Sequence, residues 1–261
     1  MIVIKFGGHA MTDKHGQFAV AIKGALAHGV DIAIVHGGGP QINKALEAAG
    51  IESHFVGGFR VTTPETFNVV ERVLAGEVGP GVADSLTQAG VPAIALSGRF
   101  SKILIAEPQH TLVDGTKADL GQVGVVVDVD PDPIFAALEI DRIPVISPIA
   151  TDHHFAQGFN VNADIAAAAI AGAVDAEALI IMTDVPGIYR SWPDTSSLID
   201  RISATELESI KGTFAQGMAP KVQACLDAIS AGAKAVRIID GTNPSALHDA
   251  LLNLGGTLVT A

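Results

Sequence analysis

Cysteine is nearly absent. Cys225 stands alone among 261 residues, so no intrachain disulfide can form and a reducing compartment is expected. Positive charge is short: 16 Lys and Arg against 28 Asp and Glu leave a formal net charge of −12. A surface of that sign repels nucleic acid and anionic membrane, so neither is an expected partner. It still allows an anionic ligand, because backbone N–H groups form local nests on acidic proteins. No apolar run is long enough to span a bilayer; the longest, near Ile165 to Val174, is mostly Ala. The opening MIVIKFGG lacks the charged start and extended apolar core of a signal peptide. A soluble, cytoplasmic protein is expected. Several catalytic signatures are missing too. There is no Gly-x-Ser-x-Gly elbow, and nothing marks a Ser-His-Asp triad. His153–His154 has no third ligand at zinc spacing, so no metal site is expected.

Apolar residues are plentiful. They make up 48% of the chain against 17% charged, enough to bury a sizeable core and exclude disorder. Short β-branched runs bounded by Gly, Pro or Asp read as buried strands at Ile2–Phe6, Asp31–His36, Pro92–Leu96, Pro144–Ser147, Ala178–Met182 and Ala235–Asp240. Between them, helical periodicity covers about Thr12–His28, Pro40–Ala49, Pro64–Ala75, Val78–Ala89, Asp132–Glu139, Asn162–Ala171, Thr205–Ile210, Met218–Ala231 and Asn243–Leu254. This alternation predicts an α/β fold: a central, largely parallel sheet with helices on both faces, a three-layer αβα sandwich. Ile103–Glu107 and Gln122–Asp128 flank a polar stretch and read as hairpin strands. Tyr189–Ser203, rich in Ser, Pro and Asp and holding the only Trp, reads as a long connection. A boundary near Ala173 divides the chain into two lobes, 1–173 and 174–261.

Six patches could carry chemistry. In Lys5-Phe6-Gly7-Gly8, a strand ends in a lysine and two glycines that let backbone amides approach a ligand. The alternative is a plain strand-to-helix turn with a surface lysine. In His36-Gly37-Gly38-Gly39-Pro40, three glycines precede a proline suited to a first helical position. A tight turn needs one glycine, so three suggest a phosphate or carboxylate nest. The spacing is neither Walker A nor the Rossmann fingerprint. Arg60, beside Gly57-Gly58, can grip a carboxylate through two parallel hydrogen bonds; taken alone it reads as an exposed loop residue. Asn160-Val161-Asn162-Ala163-Asp164 opens a helix; the alternative is plain capping, but three polar residues with period two are more than a cap requires, and Asp164 could face inward to hold cationic side chains. Lys221, in Gly217-Met218-Ala219-Pro220-Lys221, lies near a helix N-terminus, where a cation opposes the macrodipole unless it meets an anion. Thr183-Asp184-Val185-Pro186-Gly187-Ile188-Tyr189 is a turn after a strand, where α/β sheets place ligands.

Taken in order over essentially the whole chain, KFGGHAM, VHGGGPQIN, GGFRVT, NVNAD, TDVPGIY and GMAPKV resemble the amino-acid kinase family. The pair HGGGPQIN and GFRVT is similar to the branch that acts on N-acetyl-L-glutamate. The resemblance implies transfer of the γ-phosphoryl of ATP, with Mg²⁺ held mainly by the nucleotide phosphates, to the γ-carboxylate of N-acetyl-L-glutamate in arginine biosynthesis. It also implies roles for single residues. Lys5 would contact the transferring phosphoryl, with Gly7 and Gly8 cradling the ATP phosphates. Gly38 and Gly39 would bind near the reacting carboxylate, while Arg60 and Asn160 would hold the acylated amino acid. Asp164 would orient two lysines, the second being Lys221. Thr183, Asp184, Gly187, Tyr189, Gly217 and Met218 would line the nucleotide site. Lobe 1–173 would bind the acylated amino acid and dimerise; lobe 174–261 would bind ATP.

The chain departs from the family pattern at Val78-Gly79-Pro80-Gly81, where an Asn with a basic neighbour is usual, and at Gly98-Arg99-Phe100-Ser101, where a Gly-Lys-Asp-Gly-like turn is common. With no helix before the first strand, the resemblance implies a homodimer without arginine feedback. Two rival readings share the fold: a kinase for N-acetyl-α-aminoadipate or a carrier-linked homologue, and a catalytically silent nucleotide-binding protein. The latter should have lost Lys5, Asp164 or Lys221, and all three are present. A Rossmann-type dehydrogenase is disfavoured by the glycine spacing.

Overall fold

The structure, a computed structural model, describes residues 1–7, 16–112, 115–214 and 218–261. Within them the chain runs β1 (Ile2–Phe6), α1 (Gln17–Ala27), β2 (Ile32–His36), α2 (Gly39–Ala48), β3 (Phe55–Val56), β4 (Phe59–Arg60), α3 (Pro64–Val73), α4 (Gly79–Gln88), β5 (Ala93–Ser97), β6 (Leu104–Pro108) and β7 (Gly124–Val129). It continues through α5 (Asp132–Glu139), β8 (Ile143–Ser147), β9 (Ile149–Thr151), β10 (Gly158–Asn160), α6 (Ala163–Ala173), β11 (Ala178–Thr183), β12 (Arg201–Ser203), α7 (Ala204–Ile210), α8 (Ala219–Ser230), β13 (Ala235–Asp240), α9 (Ala246–Leu251) and β14 (Thr257–Thr260).

An eight-stranded sheet in the order β12-β14-β13-β11-β1-β2-β8-β5 forms the frame. Every pairing in it is parallel except β13 with β14. Its central strands read as unbroken apolar runs because both faces are covered. In β1, Val3 packs into a core shared with α6 and α8, while its neighbour Ile4 packs into a second core with α1, α4 and α9. The same alternation recurs at Ala33/Ile34 and Leu179/Ile180, which fixes each strand's register. The three-layer αβα sandwich expected from the sequence is therefore the architecture. α6 is Ala-rich, and it packs close to the end of α8: a Cβ added at Gly172 would stand 2.5 Å from the Cβ of Ala231.

Several elements differ from the sequence expectation. The helices expected at Pro64–Ala75 and Val78–Ala89 form one helical run, joined by a π-turn over Leu74–Val78. There Gly79 N–H reaches back to Leu74 O. Pro80 explains the wide turn, because it has no N–H and its ring crowds the preceding carbonyls of a regular helix. β6 and β7 pair antiparallel as expected, but they belong to a four-stranded sheet, β10-β9-β6-β7. β9 and β10 were not apparent from the sequence, being only three residues each. Asn160 accordingly ends strand β10 rather than opening a helix. The helix expected at Thr12–His28 starts outside the described residues. Tyr189–Ser203 is a long connection carrying a 3₁₀ turn at Thr195–Ser197 and strand β12.

Candidate functional site

The C-terminal ends of β1 and β2 lie side by side, and the turns that follow are glycines. Gly37 N–H donates to Phe6 O at 2.8 Å. A Cβ at Gly7 would stand 3.2 Å from Lys5 Nζ and 3.4 Å from Gly37 N, so the two loops abut with no room for side chains. α2 then begins directly after Gly38, with Pro40 in its first turn. These loops form one wall of a cleft of about 300 Å³. Lys5, Gly37, Gly38, Gly39, Arg60, Asn160, Asn162 and Asp164 are among its lining residues, with Phe55, Phe59 and Leu74 as apolar surface.

Lys5 Nζ stands 3.0 Å from Asp164 Oδ1, with side-chain exposures of 13% and 10%. The approach falls outside hydrogen-bond angles, so charge holds the pair together. Asp164 sits in the first turn of α6, where the helix dipole favours a carboxylate. The cap is Asn162: its Oδ1 accepts from Asp164 N–H at 2.8 Å and Ile165 N–H at 3.4 Å. The neighbouring acid is thus left free for Lys5.

Arg60, at the end of the β3–β4 hairpin, is buried and desolvated, which pulls the guanidinium below its usual range. It donates to Asn43 Oδ1 at 2.7 Å and to Ser53 Oγ, and it stacks 4.6 Å from the Phe55 ring centroid. Asn160 Nδ2 donates to Thr62 Oγ1 at 3.0 Å, and that hydroxyl donates to Arg60 O at 2.8 Å. Asn160 and Arg60 are thereby fixed relative to each other across a long stretch of chain. The sequence reading missed Asn43, Ser53 and Thr62 as supports. Asn43 and Thr62 lie within quoted motifs and Ser53 lies between them, but nothing in the pattern says which side chains they touch.

His36 is fully buried beneath the glycine loop, with Nδ1 2.8 Å from Gly37 O. Nε2 has no partner and faces Gly79, where a Cβ would stand 2.9 Å away. Desolvation lowers its pKa from 6.5 to about 4, against the smaller opposing effect of the Gly37 hydrogen bond. The departure at Val78–Gly81 thus has a local reason: Gly79 leaves the space that the imidazole occupies.

A second opening of about 530 Å³ lies after β11. Asp184, Val185, Tyr189, Arg190, Trp192, Phe214, Met218 and Lys221 are among its lining residues. The start of α6 lies beside the middle of α8. Asn162 and Ile165 share a space of about 30 Å³ with Gln223, Ala224 and Asp227. Burial drives the Cys225 thiol upward; Asp164 and Asp227 push the same way and Lys221 opposes them.

Two residues expected at the nucleotide site also make contacts within the protein. Gly187 packs on β14, where a Cβ would stand 2.4 Å from Thr257 Oγ1. Thr183 is buried, and its hydroxyl donates to Asp184 Oδ1 at 3.0 Å. Gly8 and Gly217 lie outside the described residues. Among the described residues, no three His, Cys, Asp or Glu side chains are grouped to hold a metal ion. No helix among them is long and apolar enough to cross a membrane.

Comparison with known proteins fits this geometry. Residues 1–240 match the model of the amino acid kinase family. An acetylglutamate kinase of Corynebacterium urealyticum is 42% identical over 258 residues, covering 98% of this chain and 84% of the relative. A Streptococcus mutans protein, smu.665, superposes with a TM-score of 0.83 at 30% identity, over 100% of this chain and 98% of that one. Carbamate kinase from Giardia lamblia bound to AMP-PNP shares the fold, with a TM-score of 0.73 at 19% identity over 99% and 97% of the two chains. Sequence match and fold agree from the first glycine loop to the last sheet strands, and the chain belongs to the amino acid kinase family.

Proposed function

We propose that the chain transfers the γ-phosphoryl of ATP to the γ-carboxylate of N-acetyl-L-glutamate, a step of arginine biosynthesis. The observation that carries this reading is the 42% identity to an acetylglutamate kinase over 98% of the chain, with Lys5, Arg60, Asn160 and Asp164 gathered at one cleft. The cleft, at about 300 Å³, suits a small dicarboxylate. It is built from residues within 1–173, while the second opening is built from residues within 174–261. That division supports an acyl-amino-acid lobe and a nucleotide lobe, joined by the pairing of β1 with β11.

The chemistry follows from charge. A γ-carboxylate is ionised at neutral pH, so it needs no general base. One of its oxygens attacks the γ-phosphorus, the bond to the β,γ-bridging oxygen breaks, and ADP leaves with the electron pair. The obstacle is the approach of an anion to a polyanion, which positioning and fixed positive charge overcome. Arg60 holds the α-carboxylate through its fork, and Asn160 orients the acylamino group. Lys5, aimed by Asp164, meets the transferring phosphoryl, and Lys221 meets the leaving side. The amides of the glycine loops serve as preorganised donors. Mg²⁺ bound to the phosphates supplies further neutralisation of developing charge.

Hydroxylamine trapping tests the reading. MgATP with N-acetyl-L-glutamate should yield hydroxamate and ADP in equal amounts, with N-acetyl-α-aminoadipate a poorer acceptor. Hydroxamate formed only from the longer acid, or ADP released without it, would overturn the assignment.

A further inference from the structure

The connection after Tyr189 holds the only tryptophan of the chain, and catalysis as derived above makes no use of it. Trp192 is 64% exposed, although it is the largest apolar side chain available for burial. It also lines the 530 Å³ opening that contains Lys221, together with Phe214 and Met218. Its loop is braced. The Tyr189 ring meets the indole edge-on at 5.3 Å and 62°. Arg190 pairs with Glu206 at 2.8 Å, and Ser197 Oγ donates to Asp194 O at 2.6 Å and accepts from Ser191 N–H at 3.1 Å. A braced loop presenting an exposed indole beside a cavity that also holds Lys221, with Asp184 on the same lining, is an aromatic platform suited to a flat ligand with a negatively charged end.

We propose that Trp192 is the base-stacking residue of this opening, with the purine of the nucleotide lying against its indole. The inference rests on the reading that the C-terminal cavity takes the nucleotide. Base-aromatic stacking tolerates sequence and orientation because every base offers a π face. The phosphates then extend toward Lys221, which supplies the positive charge.

Because the chain has one Trp, excitation of the indole reports Trp192 alone. The full chain is titrated with MgADP and, as a probe without a base, with magnesium pyrophosphate; calorimetry follows both in parallel. Emission should change saturably with MgADP over the range where heat is released, and not with pyrophosphate. Trp192→Ala should raise KM for MgATP about tenfold (~1.4 kcal/mol) while leaving KM for N-acetyl-L-glutamate unchanged. Trp192→Phe should restore most of the loss, which a general loosening of the loop would not predict. Binding heat from MgADP with unchanged emission, or an alanine variant with the parental KM for MgATP, would overturn the proposal and leave the kinase reading intact. Absence of both heat and emission change would overturn the two together.

Discussion

His36 gives the sharpest test of the structure, because its environment fixes both a sign and a size. The imidazole is fully buried, and desolvation lowers its pKa from 6.5 to about 4. The unfolded chain takes up a proton below 6.5, and the folded chain does so only near 4. Stability rises with pH wherever the unfolded state binds more protons. The contribution from His36 is therefore complete above pH 6.5 and is lost progressively as the pH falls to about 4. The gap between the two values corresponds to ~3 kcal/mol. Carboxylates add their own acid dependence, so the comparison must be with a variant that keeps the local hydrogen bond but does not titrate. His36→Asn does this, since its amide can donate to Gly37 O as Nδ1 does now. Urea unfolding of both proteins at steps from pH 7.5 to 4.5 should give free-energy curves that run parallel above 6.5. Below that they should converge, with the parent losing about 2–3 kcal/mol more than the variant. Curves parallel throughout would refute the burial argument, and with it the packing of the imidazole against Gly79.

Two further outcomes are expected. Lys5→Ala and Lys221→Ala should each lower kcat by about 10²-fold or more, as loss of one preorganised donor does. The first should also destabilise the fold, because Asp164 at 10% exposure loses its counter-charge; parental kcat in both variants would reject their roles. Gly187→Ala should lower stability by about 1–3 kcal/mol in urea unfolding, since its Cβ would displace Thr257 Oγ1, which accepts from Ile188 N–H at 2.8 Å. An unchanged midpoint would refute the close packing of Gly187 on Thr257.

Strands β1, β2, β8, β11 and β13 were legible from the chain because a strand buried on both faces is largely apolar, and β5, at the sheet edge, was legible because it is also apolar and bounded by turn residues. The glycine loops and Lys5 were legible for a related reason: three glycines before a proline are more than a turn needs. Short strands were not. β9, β10 and β12 each have three residues and owe their existence to neighbours that no local pattern encodes. The π-turn at Leu74–Val78 was hidden as well, since it depends on Pro80 and on the imidazole passing beneath Gly79.

The same division runs through the site. Side-chain chemistry, charge and the order of motifs along the chain are properties of the sequence, and they established the reaction class. Which groups meet is a property of chain crossings: Asp164 reaches Lys5 across the whole N-terminal half, and Asn160 steadies Arg60 through Thr62. Only tertiary structure decides such pairings, because contacts between residues far apart in sequence depend on sheet order and helix packing, which local propensity does not specify.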